Sequence, residues 1–71
     1  MSAAAQNNAK PGDFAIVQDS TPPGTYPLRN GLRAGDLVKL LSFDHGYWNV
    51  RRESDGLETV IYTVNIDRIA T

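Results

Sequence analysis

The sequence contains no cysteine and a single histidine, His45. A disulfide is therefore excluded, and so is a zinc site built from cysteine and histidine side chains. Domains of this size bury only about 60% of the surface that the unfolded chain exposes, and many need a covalent or metal cross-link. We therefore expect stability to come from packed apolar side chains, from well-formed turns or from self-association.

The chain also lacks an excess of one charge and a long apolar run. Seven Lys and Arg face eight Asp and Glu, whereas a nucleic-acid-binding domain usually carries a basic excess. No segment approaches the roughly 20 apolar residues that cross a bilayer, and residues 1–10 contain no run typical of a signal peptide. We expect a cytoplasmic protein with no membrane partner, and a protein partner is favoured over nucleic acid.

What is present suffices for one small globular domain. Hydrophobic residues make up 41% of the chain, including three Tyr, two Phe and one Trp, which is too high for a wholly disordered chain. Residues 1–10 are small and polar without periodicity, so we predict a flexible tail there and a single domain over residues 11–71. Between Asp19 and Gly35, six Pro and Gly residues exclude a regular helix and predict a long loop.

Short strands with turns between them dominate the rest of the chain. Alternation and β-rich composition predict strands at 14–17, 36–43, 47–52 and 57–64, with a closing strand around Ile69. In the second strand, alternation places Val38 and Leu40 on one face and Phe43 on the other. Residues 44–46 and 54–56 predict turns, and residues 65–68 fit one helical turn. The fold class predicted is all-β, a small barrel that leaves few exposed strand edges.

The order of these features resembles the SH3 domain over residues 13 to 70. Residues 34–41 show a Gly-Asp entry into a strand of alternating apolar residues. Residues 44–51 show a short loop with Asp and Gly, which leads to an aromatic pair and then Arg. A tight hairpin at 54–56, a strand, a helical turn at 64–68 and a final aliphatic strand follow. The resemblance implies an SH3-like barrel of about five strands, with a long first loop and one short helical turn before the last strand.

The resemblance also implies where a partner would bind. SH3 domains bind proline-rich segments on an aromatic shelf. Tyr47 corresponds to the ligand-stacking tryptophan of the family, Tyr62 to its proline before the helical turn, and Asn65 to its tyrosine in that turn. The function we expect is a non-catalytic protein-interaction module, an accessory protein of a bacterium, phage or mobile element. It would bind another protein, a peptide or itself, and the predicted partner-binding residues are Tyr26, Asp44, Tyr47, Tyr62 and Asn65.

Two alternatives remain open. The first is a nucleic-acid-binding SH3-like barrel, which would use the basic residues Arg29, Arg33, Lys39, Arg51 and Arg52. The second is a pore enzyme assembled from several copies, because residues 59–62 are similar to a strand motif of plasmid-borne dihydrofolate reductase. That motif's pore glutamine has no counterpart here.

Catalytic residue types occur together only once, in Ser42, Asp44 and His45. A strand end and a turn would point these side chains in different directions, whereas nucleophilic catalysis needs them to converge. We therefore predict no catalytic residues, no metal site and no cofactor.

Overall fold

The computed structural model describes residues 9–20 and 25–70, which form five β-strands and one 3-10 turn. The elements are β1 (Phe14–Val17), β2 (Leu37–Asp44), β3 (Tyr47–Arg52), β4 (Glu58–Tyr62), the 3-10 turn (Thr63–Asn65) and β5 (Ile66–Ile69). The prediction of an all-β domain of about five strands, with a long first loop and one helical turn before the last strand, is confirmed. Within the predicted loop, residues 21–24 lie outside the described residues.

The strands pair antiparallel in one sheet, in the order β4-β3-β2-β1-β5. β4 and β5 are therefore the two ends of the sheet, although only the three residues of the 3-10 turn separate them in the chain. In a flat sheet of five strands they would lie about 19 Å apart, and so short a connection spans at most roughly 14 Å. The sheet must coil around the core until its end strands approach each other.

The inner face of the coiled sheet carries the core. Alternation along β1 to β4 gives each strand two buried positions. Both are apolar in β1, β2 and β3, whereas β4 buries one apolar residue and one threonine. Leu32 from the long loop joins them. The buried apolar residues are Ala15, Val17, Leu32, Val38, Leu40, Trp48, Val50, Ile61 and Ile66. Full burial of one large aliphatic side chain stabilises a fold by about 1.5–3 kcal/mol, so this set is the main source of stability.

A β-bulge in β2 changes which residues face inward. Pairing with β3 shifts register between Leu40 and Ser42, after which Phe43 pairs directly with the buried Trp48. Directly paired residues share a face of the sheet, and the two rings lie 5.1 Å apart between centroids. The prediction that Phe43 lies on the face opposite Val38 and Leu40 is therefore wrong, because the extra residue of the bulge reverses the alternation.

Two tight hairpins connect the central strands. His45 and Gly46 have φ angles of 48° and 90°, the positive pair that a two-residue type I′ turn requires. The second hairpin has a longer loop, in which the Arg52 N–H donates to the Leu57 carbonyl at 2.7 Å and the Gly56 N–H donates to the Arg52 carbonyl at 2.8 Å. Both turns fall where Asp-Gly and His-Gly signals predict them.

The helical turn begins earlier than the sequence predicts. We expected it at residues 65–68, but it spans Thr63–Asn65 and β5 begins at Ile66. The Asn65 side-chain oxygen accepts a hydrogen bond from the Tyr62 N–H at 2.9 Å, which closes the turn on its N-terminal side. Asn65 thus ends the turn instead of starting it.

The described part of the chain includes the last two residues of the predicted tail. Ala9 packs against the core, and the Lys10 N–H donates to the Asp13 carboxylate at 3.0 Å. The remainder of the predicted tail, residues 1–8, lies outside the described residues.

Candidate functional site

Two of the predicted site residues lie side by side on the outer face of the sheet. Tyr47 of β3 and Tyr62 of β4 are direct partners in the antiparallel register. Their neighbours Trp48 and Ile61 are buried. Because successive side chains of a strand point to opposite faces, both tyrosines project outward, and each is partly exposed.

The third tyrosine reaches the same place from the long first loop. The ring of Tyr26 lies 4.8 Å from that of Tyr62 between centroids, tilted by 54°. Its exposed fraction is 42%. The Tyr26 N–H donates to the hydroxyl of the buried Ser20 at 3.0 Å, which fixes the loop at this point. We call the resulting row of Tyr26, Tyr62 and Tyr47 the tyrosine face.

A carboxylate borders the tyrosine face. Asp44, the last residue of β2, pairs with Tyr47 across the hairpin. The Tyr47 hydroxyl donates to one carboxylate oxygen at 3.4 Å, and the other lies 2.5 Å from His45 Nδ1. Half of the Asp44 side chain is exposed, so it can still accept from a partner. The structure thus places the Asp44 carboxylate beside the tyrosines.

Asn65 differs from the other predicted site residues because its side chain is completely buried. Its oxygen accepts from the Tyr62 N–H at 2.9 Å, and its nitrogen donates to the Gln18 carbonyl at 3.2 Å and to the Tyr26 carbonyl at 3.0 Å. Asn65 therefore lies beneath the tyrosine face instead of on it. The expectation that it contacts a partner directly does not match this burial.

The predicted basic residues do not form one patch. Lys39 and Arg51 are direct partners on the outer face of β2 and β3, with Lys39 Nζ 6.0 Å from the centroid of the Phe14 ring. Arg29 and Arg33 are exposed on the long loop. Arg52 forms ion pairs with Asp36 and Asp55.

Arg52 joins the second hairpin to the long loop. Its guanidinium contacts the Asp55 carboxylate at 2.8 and 3.0 Å, the Asp36 carboxylate at 3.1 Å and the Gly31 carbonyl at 3.1 Å. The hydrogen bonds from Arg52, with one from the Leu57 N–H, lower the pKa of Asp55 to about 2. The pKa of Asp36 is also lowered, first by the Arg33 N–H and then by Arg52. This network has a structural role that the sequence does not reveal, because its members come from distant segments.

A shallow pocket of about 410 Å³ lies along the long loop. Its walls are mainly apolar, and it carries one charge of each sign. The lining residues are Asp19, Pro27, Leu28, Leu32, Arg33 and Ala34. Sequence reasoning did not identify this pocket, and no local pattern marks it.

Of the residue types of a catalytic triad, Asp44 and His45 contact each other, whereas Ser42 bonds a different residue. The Ser42 hydroxyl accepts from the Asn49 side chain at 3.0 Å, and His45 is 89% exposed beside Asp44. Among residues 9–20 and 25–70, no three His, Cys, Asp or Glu side chains cluster as a metal site would require. Within the same residues, no helix has the length and apolarity needed to cross a membrane.

The class of protein that the fold defines is a small, single-sheet, all-β domain. Comparison of the chain with protein-family models, with curated proteins and with solved structures gives no match to any of them.

Proposed function

We propose that this domain is a non-catalytic protein-interaction module of the SH3-like type, which binds another protein or peptide through the tyrosine face and Asp44. The observation that carries the proposal is the convergence of three tyrosines from the long loop, β3 and β4 on one exposed surface. Tyrosine presents a large, rigid, amphipathic surface and is enriched where proteins bind each other.

The chemistry of the tyrosine face suits an extended segment of a partner. Adjacent aromatic rings on a sheet receive the apolar parts of such a segment, and tyrosine hydroxyl groups can bond its backbone. The Tyr47 hydroxyl, which donates to Asp44, can still accept a hydrogen bond. Asp44 lies at one end of the row with half of its side chain exposed. It would favour a basic partner residue there and would disfavour an acidic one.

The SH3-like part of the proposal is supported by the order of elements. The first strand, the long loop, the two hairpins, the 3-10 turn and the final strand follow one another as the resemblance implies. A cytoplasmic location and an accessory role in a bacterium, phage or mobile element belong to the same proposal.

The experiment compares three versions of the full chain as bait in lysate of the source cell, with captured proteins identified by mass spectrometry. The versions are the natural chain, Tyr47→Ala, and Phe14→Ala as a control that removes an aromatic ring outside the tyrosine face. We expect a partner that the natural chain and the control retain and that Tyr47→Ala loses. The captured partner is then titrated against purified domain.

Stability must be measured alongside binding. Tyr47 is only partly buried, so its truncation should leave the urea midpoint close to that of the control. If Tyr47→Ala unfolds the domain, or if all three baits retain the same proteins equally, the tyrosine face is not the binding surface.

Nucleic-acid binding is the second candidate, and the pairing of Lys39 with Arg51 is the observation that favours it. It predicts binding to a duplex or single-stranded oligonucleotide that falls steeply with salt. Replacing both residues with glutamine should then abolish binding and leave the fold intact. Binding that ignores salt, or none at all, removes this candidate.

Assembly of several copies, with or without an active pore, remains the third prediction. Size-exclusion chromatography with light scattering tests it directly, because it requires a mass several times that of one chain. A monomer at micromolar concentration contradicts it.

A further inference from the structure

Asn65 connects three separate parts of the chain through one buried side chain. Its oxygen binds the backbone of Tyr62 at the end of β4, and its nitrogen binds the backbones of Gln18 after β1 and of Tyr26 in the long loop. An asparagine side chain offers one acceptor oxygen and two donor hydrogens, and here all three functions are used. A buried polar group held this completely has a defined position.

The same region is interlocked in the other direction. The Gln18 N–H donates to the Asn65 carbonyl at 2.7 Å, and the Gln18 side chain donates to the Val64 carbonyl at 2.8 Å. Gln18 and Asn65 therefore hold each other by backbone and side chain. The 3-10 turn is rigidly attached to the end of β1, and it provides a fixed base from which the Asn65 amide reaches the loop.

Tyr26 depends on this base for its position. Residues 25–35 of the loop belong to no strand, so within this described part Tyr26 has no ladder of backbone hydrogen bonds to hold it. Its backbone is held by the N–H bond to Ser20 and by the bond from Asn65 to its carbonyl. Asn65 also binds the backbone of Tyr62, whose ring contacts that of Tyr26. One amide thus binds the main chain beneath both rings.

We propose that Asn65 is a positioning residue, which sets the distance and tilt between the rings of Tyr26 and Tyr62 and so determines the shape of the tyrosine face from beneath. The effect of Asn65 on partner binding rests on the proposed function. Its effect on the geometry of the two rings does not depend on that function. A partner would contact the tyrosines, and the buried amide would act only through them.

The experiment uses the full chain labelled at tyrosine and asparagine for nuclear magnetic resonance. Asn65→Asp keeps the acceptor for the Tyr62 N–H but removes both donors and places a carboxylate against two carbonyl oxygens. We expect the Overhauser contacts between the Tyr26 and Tyr62 rings to be lost and the Tyr26 ring signals to move toward unfolded values. The Tyr47 signals should stay in place.

Two controls separate positioning from a general loss of stability. Asn49→Asp makes the same chemical change at a half-buried asparagine of β3, whose side-chain nitrogen donates to the Ser42 hydroxyl at 3.0 Å. Ile61→Val removes one buried carbon from the core and so weakens the fold, and it leaves the amide unchanged. Both should keep the contact between the two rings. If folded Asn65→Asp also keeps it, the proposal is overturned.

A measurement on the natural chain covers the case in which Asn65→Asp does not fold. The Asn65 side-chain amide protons should exchange slowly with solvent and show Overhauser contacts to Tyr26. Rapid exchange would overturn the proposal without any variant. Because these readouts need no partner, they are independent of the proposed function. If Asn65→Asp moves the rings but Tyr26→Ala binds the captured partner normally, the positioning role stands and the binding surface is wrong.

Discussion

The partners of the Arg52 side chain explain why this arginine is largely buried. The Asp55 carboxylate accepts two hydrogen bonds from its guanidinium, and Asp36, the residue before β2, accepts a third. The side chain is only 17% exposed, although it is an arginine at a strand end. Removing Arg52 would remove its bonds between the hairpin and the long loop, and the bond from Asn30 to Thr59 would remain. We therefore assign Arg52 to the fold and not to a phosphate site.

The ion pair predicts how stability changes in acid. The hydrogen bonds from Arg52, with one from the Leu57 N–H, lower the pKa of Asp55 from 3.8 to about 2, so the folded chain favours the ionised carboxylate more than the unfolded chain does. This contribution is complete above the unfolded pKa and is lost as the pH falls through about 4 toward 2. Asp55→Asn should therefore lower the urea midpoint near pH 6, and the difference from the natural chain should shrink near about pH 2.

Glu53→Gln is the matched control for this measurement. Glu53 lies in the same hairpin loop and, within the described residues, makes no ion pair. It should change the urea midpoint little at either pH. A difference between Asp55→Asn and the natural chain that is equally large in acid would show that the ion pair is not its cause.

At the scale of elements, the bulge in β2 determines how the sheet ends. Without it, strict alternation would turn Phe43 away from the core and leave the large ring of Trp48 uncovered at the end of the barrel. With it, Phe43 covers Trp48 while remaining 53% exposed. A bulge also increases the local twist and bend of a strand, which helps one short sheet coil on itself.

The pairing of these two rings predicts a measurable effect. Aromatic pairs contribute about 0.5–1.5 kcal/mol beyond the area they bury. Phe43→Ala should therefore lower the free energy of unfolding by roughly 1–2 kcal/mol and shift the emission of Trp48, the only tryptophan, to longer wavelength. Phe43→Leu should recover part of both effects. If neither stability nor emission changes in Phe43→Ala, the bulge does not bring the rings together in solution.

At the scale of the whole molecule, the inner face of one sheet provides most of the core, and Leu32 of the long loop completes it. In the part of the chain that the structure describes, all five strands belong to one sheet, so the sheet buries apolar surface mainly by coiling on itself. Typical stabilities of 0.05–0.15 kcal/mol per residue give roughly 4–10 kcal/mol for a chain of this length. One poorly filled core position is therefore a large fraction of the total.

Two leucines of β2 test this directly. Leu40 is fully buried and Leu37 is 39% exposed. Leu40→Ala should cost about 2–5 kcal/mol because it removes apolar contacts and leaves a cavity. Leu37→Ala, the same change three residues earlier, should stay within roughly 0.5 kcal/mol. Equal losses in urea unfolding of the two variants would contradict a core confined to the inner face.

Much of the fold is readable from local patterns. β1 and β3 have the predicted bounds, and the turn at His45-Gly46 follows from residues that adopt positive φ. Alternation identifies Val38 and Leu40 as core. These features depend on neighbours within a few positions, so the chain carries the information locally.

The candidate site was only partly predictable, because its residues come from segments that are far apart in the chain. Tyr47 and Tyr62 follow from the resemblance and lie together, but Tyr26 and Tyr62 are 36 positions apart in the chain. Their contact depends on how the long loop returns to the sheet. The burial of Asn65 is equally non-local, because its partners Gln18 and Tyr26 are 47 and 39 residues away.

The sequence by itself determined an all-β domain of five short strands, since alternation, β-branched residues and turn signals act over a few positions. Only the tertiary structure decided which tyrosines form one surface, that Asn65 lies beneath it, and that Arg52 is an internal cross-link. The tertiary structure also decided that Phe43 faces inward, because the bulge that reverses the alternation in β2 depends on how β2 pairs with β3. These arrangements depend on packing between segments that are distant in the chain. No short stretch of sequence carries enough information to predict that packing.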